Sequence, residues 1–277
     1  MNIDELIKQA LAEDIGDGDH SSLATIPENA QGKAHLLVKE NGVIAGIDIA
    51  RKVFSFVDSN IVFTQFIEDG TKVKIGDIAF EVSGKSTSLL TAERLALNYM
   101  QRMSGIATKT NYYVNLLQGL NTKVLDTRKT TPLMRELEKK SVKLGGGYNH
   151  RFGLYDMIMI KDNHIDFAGG IAQAIDATHR YLKEKAKSLK IEIEVRDFDE
   201  LNQVLKRGNI DRIMLDNFTP DAIRKALILI DGKYETEASG GITEETIRAY
   251  AETGVDYISV GALTHHIRSL DMSLKAI

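Results

Sequence analysis

Between Gly145 and His164 the stretch GGGYNHRFGLYDMIMIKDNH sets an apolar run, Met157-Ile158-Met159-Ile160, between two crowded sets of polar groups. His150 and Arg151 precede the run, and Lys161, Asp162, Asn163 and His164 follow it. A short apolar run bounded in this way suits a buried strand. Other short runs end alike: Leu125 in Asp126-Thr127-Arg128-Lys129, Leu215 in Asp216-Asn217, the strand before Ser239 in Ser239-Gly240-Gly241, and Val260 in Gly261. Glu192 and Glu194 lie two apart within Ile191 to Val195, so both would share one face of a strand. If these strands are parallel, their ends meet on one rim, where barrel enzymes carry their chemistry.

Arg128, Lys129, Arg151 and Lys161, with His150, suit a polyanionic ligand, because guanidinium groups bind planar carboxylates and phosphates in two-pronged fashion. Glu194 and Asp216 would cancel part of that charge unless they hold ribose hydroxyls or a hydrated Mg2+. Ser239, Gly240 and Gly241 precede a predicted helix and, with Gly261, match the phosphate position of late barrel loops. Plainer readings stand beside these. A Ser-Gly-Gly is more often a tight turn, and Glu194 would be a surface residue if the opposite face were inward. His164 and His179 read as loop and helix-surface residues, and Met157 and Met159 as core filling. His265-His266 lacks a further metal ligand at useful spacing.

The elements that must hold these groups follow from periodicity. Ile3, Leu6, Ile7, Ala10 and Leu11 predict an amphipathic helix closed by the GDGD turn at Gly16 to Asp19. Strands at Ala34–Val38, Ile61–Phe66 and Ile78–Val82, with a helix at Ile47–Val57, predict a small α+β unit up to about Met103. A long helical pattern, Leu89 to Leu117, carries a break signal at Ser104-Gly105. From Lys123 onward strands alternate with helices, the first helix opened by Thr131-Pro132 and the last running from Thr243 to Glu252. Short buried strands with helical crossovers imply a parallel sheet. About six strands are expected, fewer than the eight of a full barrel.

The 277 residues, 43% hydrophobic, can bury a full core in two modest domains. With no cysteine there is no disulfide or thiolate chemistry. No signal peptide or transmembrane stretch is visible, so a reducing, cytoplasmic setting is expected. A formal net charge of -4 gives no reason to expect nucleic-acid or membrane binding. Yet Arg128 to Lys161 carries eight Lys or Arg against three acids. Lys139, Lys140 and Lys143 read as a solvated helix face.

The motifs TRKTTP (Thr127 to Pro132), GGGYNHRFGLYD (Gly145 to Asp156), IKDNH (Ile160 to His164), ASGGI (Ala238 to Ile242) and SVGALTH (Ser259 to His265) together resemble the quinolinate phosphoribosyltransferase family. LTAERLALN and SGIAT match as well, so the resemblance covers nearly the whole chain. Leu133-Met134 departs from the family pattern, where Gly and a large residue are common.

The resemblance implies an α/β protein: an N-terminal α+β sandwich domain (1–105), an incomplete, TIM-like α/β barrel (106–265) and a C-terminal segment (266–277) returning to the first domain. It implies that quinolinate and phosphoribosyl pyrophosphate become nicotinate mononucleotide, pyrophosphate and CO2, with Mg2+, as a step of NAD biosynthesis. Arg128, His150, Arg151 and Lys161 would hold the two carboxylates of quinolinate, helped by Arg94 from a partner subunit. Thr127 would join them, and Lys129 would lie near substrate and pyrophosphate. Glu194 and Asp216 would take the ribose hydroxyls and, through water, the metal. Ser239, Gly240, Gly241 and Gly261 would bind the 5'-phosphate. Lys129, Lys161, Glu194 and Asp216 would carry the catalysis in a homodimer with shared sites or a higher oligomer. Apolar residues cover most of Leu89 to Met100, which predicts burial nearly all round and a charge at Arg94 in need of a partner. Two alternatives stay open on the residues alone: an aldolase using Lys161 as a Schiff-base lysine, and a non-catalytic relative that binds a phosphorylated anion.

Overall fold

A computed structural model describes residues 2–277. The chain forms two compact units. One takes in the chain up to Asn111 together with Thr130–Gly146 and Ala262–Ile277, and the other is Tyr112–Lys129 with Gly147–Gly261.

In chain order the first elements are α1 (Ile3–Ile15), α2 (His20–Thr25), β1 (Gln31–Val38), β2 (Gly42–Val43), α3 (Ile47–Val57), β3 (Val62–Gln65), β4 (Lys72–Val73), β5 (Ile78–Lys85) and α4 (Ser86–Leu116). Then come β6 (Lys123–Leu125), α5 (Arg135–Leu144), β7 (Ile158–Ile160), α6 (Asp162–Ala168), α7 (Ile171–Glu184), β8 (Ile191–Val195), α8 (Phe198–Arg207) and β9 (Arg212–Asp216). The last are α9 (Pro220–Ile230), β10 (Glu235–Ser239), α10 (Ile247–Ala251), β11 (Tyr257–Ser259), α11 (Ala262–His265) and β12 (Met272–Ala276).

The first unit is an antiparallel sheet, ordered β12-β1-β5-β3, with helices on its apolar face. β1 alternates, burying Ala34, Leu36 and Val38, as a strand wet on one side must. Phe54, Phe63 and Phe80 fill the core, the last two stacked with centroids 4.4 Å apart. Each fully buried Phe is worth about 1.5–3 kcal/mol. The last strand, β12, pairs with the first, Ala34 opposite Ala276.

Three sequence expectations are corrected here. The helix expected to break at Ser104-Gly105 runs unbroken as α4. Ser104 is buried, its Oγ accepting the Ala45 N–H at 2.8 Å, and a Cβ on Gly105 would come within 2.4 Å of the Arg268 carbonyl oxygen. Both residues are close-packing devices and do not stop the helix. The helix expected from Thr131-Pro132 starts only at Arg135, because Leu133 takes φ +66 in a turn closed by Met134 N–H to the Thr131 carbonyl. Lys139 does not lie on a solvated face: it is buried, and Lys140 pairs with Asp48 at 2.5 Å.

The second unit carries a six-stranded parallel sheet, ordered β6-β11-β10-β9-β8-β7. Its helices are capped by local signals: Asp197 accepts the Glu200 N–H ahead of α8, and Thr219 with Pro220 opens α9. The sheet is not closed by hydrogen bonding, since β6 and β7 are its two ends. Register places Glu192 beside Arg212, Glu194 and Glu237 beside Met214, and Ser239 beside Asp216. With the two-residue period of a strand, these residues share one face, while Ile193, Ile213, Leu215 and Ala238 line the other. No helix among the described residues is long and apolar enough to cross a membrane.

Candidate active site

A cleft of about 200 Å³ opens at the C-terminal ends of the parallel strands. It is lined by Asp126, Thr127, Arg128 and Lys129 beyond β6, by His150 and Arg151, by Met159 and Lys161 of the β7 end, and by Met214, Glu237, Ser239 and Ser259. Seven of the expected site residues (Thr127, Arg128, Lys129, His150, Arg151, Lys161 and Ser239) therefore face one space. The apolar run of the opening motif is β7, a stave whose end delivers Lys161.

Lys161 donates to Glu194 Oε2 at 2.9 Å, with Glu194 nearly buried and Lys161 44% exposed. Asp216 is held by its neighbour: Asn217, at φ +57, donates its amide Nδ2–H to Asp216 Oδ2 at 2.7 Å. Burial and the charge of Glu194 push the Asp216 carboxyl above its ordinary pKa of 3.8, so the two acids are close enough to oppose each other. Asn217 N–H also donates to the Ser239 carbonyl at 2.9 Å, and a Cβ on Gly240 would come within 2.2 Å of Asn217 Oδ1. Gly240, at φ +99, and Gly241, at φ +59, thus form a left-handed turn beside the acids. The helix expected from Thr243 is shorter, α10, starting at Ile247, so the turn stands apart from a helix N-terminus. Gly261 follows β11 after Val260.

His150 is tied at three points. Its N–H donates to Asp126 Oδ1 at 2.8 Å, Nε2 lies 2.8 Å from Glu192 Oε2 and 3.4 Å from Glu237 Oε2, and Nδ1 receives the Arg151 N–H at 2.7 Å. Burial lowers the pKa of the ring, but the two carboxylates outweigh it and raise it to about 9. A proton at Nδ1, however, would set two N–H groups face to face at 2.7 Å, so the contact with Arg151 opposes what the carboxylates favour. The Arg151 N–H at Nδ1 thus favours the ring form that carries its hydrogen on Nε2. Burial and the neighbouring Glu237 push Glu192 up to about 7. Glu237 is held low: burial raises it, but the bonds from His150 and Ser259 and the Arg212 charge prevail. Arg151, whose Nη1 donates to the Met157 carbonyl at 3.2 Å, is lowered by burial and by Arg128.

Arg94 does not lie in an all-round apolar environment. It is exposed, as are Leu90 and Asn98 at four-residue spacing, so α4 carries a wet stripe and not a buried charge. His164 begins no metal site: its Nδ1 accepts the Lys161 N–H at 3.0 Å at the start of α6. Glu237 lines the cleft, with Arg212 bonded to it and Asn217 bonded to Asp216; Arg212 and Glu237 were not singled out from sequence, and Asn217 was named at its strand end without a role. Glu235 and Glu237 in ETEAS repeat the two-residue spacing of Glu192 and Glu194, which was the available signal.

The chain matches the model of the quinolinate phosphoribosyl transferase N-terminal domain over residues 19–104 and that of the C-terminal domain over 106–275. It is 44% identical over 285 residues to quinolinate phosphoribosyltransferase [decarboxylating] 1b of Nicotiana tabacum, covering 98% of this chain and 81% of that one. It is 42% identical over 274 residues to the probable nicotinate-nucleotide pyrophosphorylase [carboxylating] of Bacillus subtilis, covering 99% and 93%. The nicotinate-nucleotide pyrophosphorylase structure from Francisella tularensis superposes with a TM-score of 0.94 at 41% identity, covering 99% of this chain and 96% of that one. The chain belongs to the quinolinate phosphoribosyl transferase family.

Proposed function

We propose that this chain is a cytoplasmic enzyme of NAD biosynthesis that transfers a phosphoribosyl group from phosphoribosyl pyrophosphate to quinolinate and releases CO2. The observation that carries the reading is the cleft itself: Arg128, Lys129, Arg151 and Lys161 in one space, with an acid pair and a glycine turn beside it. One carboxylate does not need four cations; a pyridine dicarboxylate and a pyrophosphate do.

In this reading Arg128, Arg151 and Lys161 bind the two carboxylates of quinolinate, with Arg94 reaching in from a partner subunit. The pyridine nitrogen attacks the anomeric carbon and the bond to pyrophosphate breaks, its electrons leaving with the pyrophosphate oxygen. Glu194 and Asp216 set negative charge beside the developing oxocarbenium ion and hold the ribose hydroxyls, while Lys129 meets the departing pyrophosphate. Ser239, Gly240, Gly241 and Gly261 cradle the 5'-phosphate. As the 2-carboxylate leaves as CO2, the electron pair of the broken bond stays on that ring carbon, stabilised as an ylide by the adjacent cationic nitrogen, and then takes up a proton.

Glu194 and Asp216 also fit a divalent ion: burial and the Glu194 charge both raise the Asp216 pKa, and a cation held by the two acids through its hydration waters would offset both. When bound, Mg2+ would neutralise charge on the leaving pyrophosphate. The ion pair between Lys161 and Glu194 speaks for a carboxylate-binding ammonium and not for the free amine of a Schiff-base aldolase. The test is a product assay with quinolinate, nicotinate and nicotinamide offered in parallel with phosphoribosyl pyrophosphate and Mg2+. Quinolinate alone should yield nicotinate mononucleotide; equal or better use of nicotinate would overturn the proposal.

A further inference from the structure

His150 lines the cleft, yet its side chain is only 5% exposed and both ring nitrogens already have protein partners. A ring with hydrogen on Nε2 and a bare, occupied Nδ1 has no N–H left for a ligand. What holds it is a pair of carboxylates that are themselves fully buried, Glu192 and Glu237, whose Oε2 atoms converge on the one Nε2. Buried carboxylates this close need opposing charge or their stability cost is severe. Arg212 supplies it: Nη1 lies 3.3 Å from Glu237 Oε2, and the guanidinium stacks over Tyr257 at 4.1 Å. The three ligand atoms of His150, Glu192 and Glu237 would also lie within reach of a metal ion. The adjacent guanidinium already fills the role of the cation and would repel one.

We propose that Glu192 and Glu237 are positioning residues: they hold the His150 ring against the inner face of the sheet and so fix the main chain from which Arg151 reaches the cleft. The ring contributes to recognition through its neighbour and forms no hydrogen bond of its own to the substrate. Arg151 follows His150 directly and donates its N–H to that ring, so a rotation of the ring moves the base of the Arg151 side chain. Sub-ångström misplacement of such a clamp is enough to weaken binding. The inference rests on the reading that the cleft binds quinolinate.

The test compares the wild-type chain with Glu192→Met, which removes the acceptor, and Glu192→Gln, which keeps one. Long-range proton–nitrogen spectra of the ligand-free proteins report the His150 tautomer. Wild type should show one tautomer with hydrogen on Nε2, Glu192→Met a mixture, and Glu192→Gln the wild-type pattern. The Met variant should raise KM for quinolinate by about tenfold with kcat little changed, and Gln should restore most of it. An unchanged spectrum or KM in the Met variant would overturn the proposal, as would equal damage by Gln. Should the Met variant not fold, saturation of wild type with quinolinate alone decides. Unmoved His150 nitrogen shifts support positioning, and a shifted Nε2 signal means direct contact. One divalent ion per wild-type chain, lost in Glu237→Gln, would also overturn it. If wild type turns over nicotinate and not quinolinate, the proposed function fails, while the ligand-free spectra still judge the role of Glu192.

Discussion

Lys161 and Glu194 illustrate how a site divides its labour and then shares it. By charge, Lys161→Ala and Arg128→Ala should weaken quinolinate binding by about ten- to a hundredfold, and Glu194→Ala and Asp216→Ala should chiefly impair use of the phosphoribosyl donor. The 2.9 Å contact between Lys161 and Glu194 adds a refinement. Residues in contact couple, so the pair should depart from additivity by at least about 0.5 kcal/mol, whereas Arg128 with Asp216 should add. Separate titrations of each mutant with each ligand measure both; the same loss pattern in all four would contradict the division. Most of this was legible in the sequence, because charged groups directly after short apolar runs mark strand ends. Glu237 was not, since ETEAS has too little apolar character to declare which face is inward. Asn217 was placed at a strand end but given no role, because its hold on Asp216 depends on a left-handed backbone that the sequence does not declare.

At the scale of elements, α4 shows where local signals mislead. Gly105 reads as a helix breaker, but its partner, the Arg268 carbonyl, lies far along the chain and leaves no local trace. Ala is the better helix former by about 1 kcal/mol, so a free helix would gain from Gly105→Ala. Here the added carbon meets backbone at 2.4 Å, and the substitution should instead destabilise by about 1–3 kcal/mol, read by urea unfolding. A gain in stability would show that Arg268 yields. The start of α3 offers a pH test. Gly46 has no capping side chain, and Asp69 Oδ1 accepts the Ile47 N–H at 3.0 Å instead. Burial, with Asp48 nearby, raises the Asp69 pKa. A raised carboxyl contributes its full stability below the ordinary value of 3.8 and loses it as pH rises through the folded value. Asp69→Asn keeps the acceptor without the charge, so its Tm should exceed that of the parent at neutral pH and the difference should vanish on acidification. A difference constant with pH would refute this.

At the scale of the molecule, the exposure of Arg94 changes what the sequence argument means. The apolar count along Leu89 to Met100 was right in number but missed the stripe of Leu90, Arg94 and Asn98 that faces solvent. An exposed arginine needs no partner for stability, so a loss of activity on its removal points to function. If the site is shared between subunits, Arg94→Ala and Lys161→Ala homodimers should each be nearly inactive. Mixing them under subunit exchange should recover about a quarter of wild-type activity, since half the random dimers carry one intact site of two. No recovery in hybrids verified by mass spectrometry would place Arg94 in its own chain's site or outside any site.

The pairing of β12 with β1 sets a timetable for synthesis. The hydrogen-bonding edge of β1 leaves the ribosome well before β12, its neighbour in the sheet. At about 5–20 residues per second, that edge waits roughly ten to fifty seconds without its strand. A nascent chain stalled before Met272 would carry an open, half-apolar edge, a ready template for another nascent copy. Its yield in cells should therefore depend on how fast the codons between β1 and β12 are read, and on chaperones that shield the edge meanwhile.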